Sequence, residues 1–170
     1  DITSLNIRIA NRLKNVSASV PTEILKSGVL VAGPPGSGKT SFLRDCAKRL
    51  SSGKESARVA VIDTRNELFS SYFKDLGENC DVLKISDKRK GIETALRTLY
   101  PQIVIFDEIG SISQAEAVTE CFNSGISVIT SAHAGGISDL KERKVIKILL
   151  DSGAVKNAVL LSPAHRYPPR

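Results

Sequence analysis

One stretch sets the architecture of this chain: Gly33-Pro34-Pro35-Gly36-Ser37-Gly38-Lys39-Thr40. It fits the pattern G-x-x-x-x-G-K-[ST] of a phosphate-binding loop. Its glycines allow a tight turn in which successive backbone N–H groups point at phosphate oxygens. The lysine brings a positive charge to the β- and γ-phosphates, and the threonine hydroxyl is a ligand for Mg²⁺. The sequence therefore predicts that these residues and the following Ser41 bind ATP with Mg²⁺.

The segments on both sides of the loop have the patterns of a strand and a helix. Residues 29–32 are an apolar run typical of a buried strand, and residues 39–50 have the spacing of an amphipathic helix. Further strands are predicted at 57–62, 82–85, 103–106, 126–130 and 158–161. Further helices are predicted at 22–26, 68–76, 91–100 and 138–150, and one that Ser113 caps and Asn123 ends. This alternation predicts an α/β fold, a mostly parallel sheet with helices on both faces.

Length and composition fit one globular domain. The 170 residues are 41% hydrophobic, which allows a sizeable core, and no apolar run approaches the roughly 18 residues of a membrane-spanning helix. The chain starts at Asp1, has no Met and shows no secretory signal, so we expect a domain excised from a longer protein. Residues 1–27, with a short strand or helix from Leu5, are expected to lead in from a preceding domain. Residues 28–170 are expected to be the ATP-binding domain.

Charge and cysteine content set expectations about partners. Lys and Arg number 24 and Asp and Glu 18, a net charge of +6. A phosphate site explains part of this excess, and a nucleic-acid surface could explain the rest. A mildly basic surface without a nucleic-acid partner is favoured, because no aromatic–basic stripe accompanies the charge. Cys46, Cys80 and Cys121 lie far apart without a C-x-x-C pair, so neither a disulfide framework nor a zinc site is predicted. We expect the three cysteines to be structural thiols of a protein in the reducing interior of the cell.

Polar residues follow several of the predicted strands, where ligands of parallel sheets lie. Asp107 and Glu108 follow the run 103–106, so Asp107 is predicted to hold Mg²⁺ and Glu108 to polarise the attacking water. His133 follows the strand at 126–130 and is predicted to donate a hydrogen bond to the γ-phosphate. A capping or surface role is the alternative for this histidine.

The remaining candidates are less specific. Asp63, Arg65 and Glu67 follow the strand at 57–62, where they could orient water or the metal or could equally form a salt-linked loop. Arg97 and Arg89 are candidates for phosphate contact, within one subunit or across a subunit boundary. Surface solvation is the commoner role of an arginine.

Taken together, residues 33–162 resemble the ATPase domain of the stage III sporulation protein AA family, which is related to the type II and type IV secretion ATPases. The lead-in Leu5-Asn6-Ile7-Arg8-Ile9-Ala10 is similar to that of the family as well. Besides the phosphate loop, the resembling pieces are Phe42-Leu43-Arg44-Asp45, Val61-Ile62-Asp63-Thr64-Arg65-Asn66-Glu67, Ala95-Leu96-Arg97, Asp107-Glu108-Ile109-Gly110, Ala115-Glu116-Ala117 and Thr130-Ser131-Ala132-His133-Ala134.

The resemblance implies a RecA-like core that hydrolyses ATP with Mg²⁺ in a ring, commonly of six subunits. It further implies a cytoplasmic enzyme on the mother-cell side that powers a membrane-embedded channel or secretion complex between mother cell and forespore. By position, it assigns Glu67 to an acidic box that could help activate water and Glu108 to the Asp-Glu motif. It also assigns His133 to a contact with the γ-phosphate and Arg97 to an active-site basic group.

Three departures from the family pattern leave alternatives open. Secretion ATPases commonly have Gly-Glu where this chain has Asp107-Glu108, which leaves open which carboxylate is the base. The tetracysteine region of some secretion ATPases is absent, and so is the N-terminal domain their rings use for packing, so this fragment alone could be a slow monomer. The alternatives to a motor are a nucleotide-switched binding module with little turnover and a RecA-like ATPase acting on nucleic acid.

Overall fold

The strands form one parallel sheet. The computed structural model describes residues 15–69 and 76–162. Within them lie strands β1 (Val29–Gly33), β2 (Val59–Ile62), β3 (Cys80–Leu83), β4 (Ile103–Phe106), β5 (Ser127–His133) and β6 (Asn157–Leu160). Their order in the sheet is β3-β2-β4-β5-β1-β6, and every pair of neighbours is parallel.

Helices cover both faces of this sheet, as the sequence predicted. They are α1 (Thr22–Leu25), α2 (Lys39–Ser51), α3 (Lys88–Thr98), α4 (Ile112–Asn123), α5 (Ile137–Glu142) and α6 (Lys144–Asp151). Side chains of α2 pack with Val29 and Val31 on one face. Side chains of α3, α4 and α6 pack with Leu30 and Ala32 on the other. Alternate residues of β1 thus enter two separate cores, because successive strand side chains point to opposite faces.

The strand order decides which residues meet at the carboxyl edge of the sheet. The strand of the phosphate loop, β1, is separated from β4 by β5. Gly33 pairs with His133, and Phe106 pairs with Thr130. β1 and β5 therefore end level with each other, while β4 ends opposite Thr130, three residues before the end of β5. The segments that follow β1 and β4 lie on either side of β5.

Several predicted boundaries were wrong, because pairing with another strand or a specific capping contact decides where an element begins or ends. β5 runs on to His133, since its pairing with β1 continues to Gly33. The N-cap of α4 is Ser111, whose hydroxyl accepts from the N–H of Gln114, so Ser113 is not the cap. Two helices replace the one predicted at 138–150, because the backbone of Arg143 is extended, with ψ 119°. Strand β3 begins two residues earlier than predicted, at Cys80.

Other predictions fall wholly or partly outside the described residues. The strand or helix from Leu5 does, and so does most of the helix predicted at 68–76, of which Leu68 and Phe69 are described and are not helical. Within the described lead-in, Arg49 of α2 donates to the carbonyls of Ser17 and Val20, so this segment is hydrogen-bonded to α2. None of the helices in these ranges has the length and hydropathy to cross a bilayer.

The three cysteines are structural, as expected. Cys46 and Cys121 are buried, Cys80 is half-buried, and all three are free thiols. Burial raises the pKa of each to about 12. A thiol with so high a pKa forms almost no thiolate near neutral pH, so none of the three is reactive.

Candidate nucleotide site

The phosphate loop joins β1 to α2 and faces a wide cavity. Gly36 and Gly38 have positive φ angles of 75° and 93°, where a residue with a side chain would be strained. Gly38 is also the N-cap of α2, so the positive end of the helix dipole faces the loop. A cavity of about 840 Å³ opens there, lined by the loop and the start of α2 together with Arg65, Glu67, Asp107, Glu108 and His133.

Lys39 is anchored at the base of this cavity. Its ammonium donates to the carbonyls of Gly33 and Pro34, both at 2.9 Å, and lies 3.2 Å from Nδ1 of His133. Because an ammonium can only donate, Nδ1 is the acceptor, and the ring proton is inferred to lie on Nε2. Burial lowers the pKa of Lys39, and the carboxylates of Asp107 and Glu108 act in the opposite direction.

Asp107 connects three segments of the chain. One of its carboxylate oxygens accepts from the hydroxyl of Thr40 at 3.1 Å, and the other accepts from the hydroxyl of Ser131 at 2.6 Å. Ser131 is fully buried in β5, so it can reach from the middle strand to the carboxylate that follows β4. Ser131 thus belongs to the site through its hydrogen bond to Asp107.

Glu108, the residue after Asp107, lies on a strained turn of the backbone. Its φ of 43° is in the left-handed region, which is disfavoured by about 1–3 kcal/mol for a residue with a side chain. Its N–H donates to Ser131 Oγ at 3.0 Å, and the ammonium of Lys88 donates to the carbonyls of Asp107 and Glu108. The Glu108 carboxylate lies 3.7 Å from His133 Nε2 and 3.7 Å from Arg65.

The segment after β2 forms a hydrogen-bonded loop that carries Glu67 to the cavity. The buried carboxylate of Asp63 accepts from the N–H groups of Glu67 at 3.0 Å and Phe69 at 2.8 Å. From α2, Arg44 donates to the carbonyls of Glu67 and Leu68, both at 2.6 Å. Asp63 therefore organises the loop, while Arg65 and Glu67 line the cavity.

Two predicted arginines lie elsewhere. Arg97 is exposed in the last turn of α3, which leads from the end of β3 to the start of β4 and therefore finishes at the opposite edge of the sheet. A role for Arg97 within its own subunit is thus not supported, and a role across a subunit boundary stays a prediction. Arg89 pairs with Glu93, Glu116 and Glu120, which ties α3 to α4.

Two residues of the site were missed by the sequence analysis. Lys88 belongs to the run Lys88-Arg89-Lys90, and the sequence cannot tell which of these three cations turns inward without knowing where α3 begins. Arg44 is one of several cations on α2, and its partners lie 23 and 24 residues away. Its position after the phosphate loop was the one signal that could have pointed to it.

The residues present fit a triphosphate with Mg²⁺. The loop presents Lys39 and the N-terminus of α2 to one cavity, and the Ser37 hydroxyl of the same loop is buried without a partner. Thr40 and Asp107 place adjacent oxygen atoms at that cavity. The described ranges contain no cluster of three or more His, Cys, Asp and Glu side chains able to hold a metal. An ion here would therefore need phosphate oxygens and water molecules as its remaining ligands, and Mg²⁺ usually binds in this way.

Sequence comparison identifies relatives along nearly the whole chain. A family model described as "Sporulation stage III, protein AA" matches residues 1–168. Stage III sporulation protein AA of Bacillus subtilis (strain 168) is 33% identical over 174 residues, which cover 96% of this chain and 57% of that protein. The chain thus spans little more than half the length of this curated relative.

Solved structures share the fold. The ATPase DotB of Legionella pneumophila aligns with a TM-score of 0.61 at 18% identity, covering 75% of this chain and 36% of the other. The pilus retraction motor PilT, solved with bound ADP, aligns with a TM-score of 0.62 at 17% identity, covering 83% and 45%. At such identity the likeness shows the fold alone, that of the RecA-like secretion ATPases, as the sequence predicted.

Two neighbouring buried hydroxyls test the role of Ser131. Ser131→Ala leaves the Asp107 carboxylate and the Glu108 N–H without their partner, so the free energy of unfolding should fall by about 1–3 kcal/mol. Thr130→Val is the control, because its hydroxyl is buried without a partner, and the change should be neutral or stabilising. Urea unfolding followed by circular dichroism measures both. Equal losses in the two variants would contradict the assigned role.

Proposed function

The chain belongs to the sporulation stage III protein AA family, and from this premise we propose that it is the motor domain of a Mg²⁺-dependent ATPase. One observation supports the proposal above all. Thr40 of the phosphate loop and Asp107 at the end of β4 are hydrogen-bonded to each other, with Glu108 beside them in the same cavity. Phosphate binding, metal binding and water activation are thus assigned to adjoining groups.

Each residue has a distinct task in this proposal. The backbone N–H groups of residues 36–41, which follow the two prolines of the loop, and the ammonium of Lys39 bind phosphate oxygens. Mg²⁺ held by Thr40 and Asp107 would neutralise charge on the β- and γ-phosphates. The Glu108 carboxylate accepts a proton from the attacking water. His133 donates from Nε2 to the γ-phosphate, since Lys39 occupies its Nδ1. Glu67 is the alternative base, because it lines the same cavity.

We propose further that the full-length protein works as a ring, with six subunits as the expected number. Arg97 is in the last turn of α3 and does not line the cavity at the phosphate loop, so this arginine would have to come from a neighbouring subunit. The family membership supports a role in powering a membrane-embedded channel or secretion complex during sporulation, from the cytoplasm of the mother cell. No nucleic-acid partner is proposed.

A second candidate function is a nucleotide-switched binding module with little turnover. The contacts of Glu108 favour it, because its carboxylate lies between Arg65 and His133 and is less free to approach a water molecule. In that case the same site would bind ATP, and the bound phosphate would alter these contacts without rapid hydrolysis.

Steady-state ATP hydrolysis by the full-length protein tests the proposed activity. Lys39→Ala should lower turnover by about 100-fold or more, because the charge that stabilises the phosphates is removed. Lys54→Ala, an exposed lysine in the loop after α2, is the control and should match the wild type. ATP binding without measurable wild-type turnover would favour the switched module. Turnover stimulated by DNA or RNA, with salt-sensitive binding, would favour a nucleic-acid enzyme.

The catalytic base is tested by two matched amides. Glu108→Gln should lower kcat by about 100-fold or more, because the amide cannot accept the proton. Its affinity for a non-hydrolysable ATP analogue should stay within about threefold of the wild type. Glu67→Gln should keep most of the turnover. The reverse result, a dead Glu67→Gln and an active Glu108→Gln, would assign the base to Glu67.

Ring assembly predicts a site completed by a second subunit. The specific activity of the full-length protein should therefore rise with protein concentration and level off where sedimentation shows the ring to be complete. Mixing wild type with inactive Arg97→Ala subunits should inhibit more than in proportion to their share. A specific activity independent of concentration in a monomeric protein would contradict the shared site.

A further inference from the structure

We propose that Lys88 is a positioning residue that fixes the backbone turn on which Asp107 and Glu108 are presented. This inference rests on the proposed function, because it gives Lys88 its role through the metal ligand and the base. The residue itself is not assigned any contact with nucleotide. Three observations support this role. Lys88 begins α3, its ammonium binds the carbonyls of Asp107 and Glu108, and it does not line the cavity at the phosphate loop.

The contacts of Lys88 go to the backbone of the Asp107–Glu108 pair. Its ammonium donates to the carbonyls of both residues and lies 5.5 Å from the centroid of the Phe106 ring. One cation thus spans the last residue of β4 and the two that follow it. Burial lowers the pKa of Lys88, as does Arg65, while the two carboxylates act in the opposite direction.

The ammonium of Lys88 binds the backbone at the strained turn. In an extended strand, successive carbonyls point to opposite sides, so one ammonium cannot bind both. At Glu108 the left-handed backbone, φ 43°, directs the carbonyls of Asp107 and Glu108 to the same ammonium. On the other side of the turn, Ser131 accepts from the N–H groups of Glu108 and Ile109. Backbone strain of this kind persists only when surrounding contacts hold it.

Helix stability does not explain a lysine at this position. Lys88 is the first residue of α3, and the positive end of a helix dipole disfavours a cation in the first turn. Asp87, the N-cap, already satisfies the N–H of Lys90. The gain that offsets this unfavourable placement is the contact with the two carbonyls.

Lys88 lines a different cavity from the one that the phosphate loop faces, although Arg65, Glu67, Asp107 and Glu108 line both. It lines a small cavity of about 20 Å³ together with Asp63, Arg65 and Glu67, which is room for about one water molecule. It does not line the cavity of about 840 Å³ that the phosphate loop faces. Removing Lys88 should therefore disturb the presentation of Asp107 and Glu108 while leaving phosphate binding by the loop intact.

Three variants of the full-length protein test this role. Lys88→Met removes the charge and the donors but keeps an unbranched side chain, and Lys88→Arg keeps the charge and the donors. Lys90→Met is the matched control, because Lys90 is an exposed lysine in the first turn of the same helix. Two quantities are measured for each: the kcat of ATP hydrolysis, and the Mg²⁺ concentration that half-maximally tightens binding of a non-hydrolysable ATP analogue.

Lys88→Met should lower kcat and raise the half-maximal Mg²⁺ concentration, each by about 10-fold, while binding of the analogue without Mg²⁺ is unchanged. Lys88→Arg should recover part of both losses, which a merely space-filling role would not give. Values within about twofold of the Lys90→Met control would overturn the inference. So would weaker binding without Mg²⁺, since Lys88 would then act on the phosphates themselves.

The two proposals can fail separately. If the wild type binds ATP without hydrolysing it, the proposed activity falls, and the Mg²⁺ titration alone decides the role of Lys88. If Lys88→Met does not fold, Lys88→Ala takes its place, because it also removes both the donors and the charge. An Mg²⁺ requirement identical to the wild type in that variant would also overturn the inference.

Discussion

The carboxylate of Asp107 is the contact on which the whole site depends. It accepts from Thr40 with one oxygen and from Ser131 with the other, so it joins the segments that follow β1 and β4 through the strand between them. Such a bridge requires β5 to lie between these two strands and to be long enough to place Ser131 at the edge of the sheet. The parallel sheet thus sets the distance between the segments that follow β1 and β4. The hydroxyls of Thr40 and Ser131, both bound to the Asp107 carboxylate, join these segments.

The charges around this contact are paired and backed by rigid elements. Lys39 is held by loop carbonyls and His133, and Glu108 lies between His133 and Arg65. A triphosphate entering here would meet cations and N–H groups on the loop side and acidic groups opposite. The negative charges of phosphates and carboxylates repel each other strongly where water is excluded. A divalent cation bound between them would remove this repulsion.

Backbone hydrogen bonds, more than ion pairs, place the catalytic candidates. Asp63 and Arg44 fix the loop that carries Glu67, and Lys88 with Ser131 fixes the turn that carries Glu108. In both cases a charged side chain binds main-chain groups of a neighbouring segment. Charge-assisted bonds of this type are stronger than neutral ones, which suits segments that must hold one geometry without being helix or strand.

The sequence by itself determined the phosphate loop, the α/β class, the strand 103–106 to the residue and the acidic pair after it. Each of these features is a pattern of residues close together in the sequence, so it can be recognised without knowing the tertiary contacts. Where strands or helices begin and end, as at His133, Ser111 and Arg143, depends on pairing and capping partners, so those boundaries were less accurate. Only the tertiary structure decided that Lys88 turns toward Asp107 and that Arg97 ends far away. Both outcomes depend on strand order and on the direction in which α3 crosses the sheet, and distant segments of the chain fix these together.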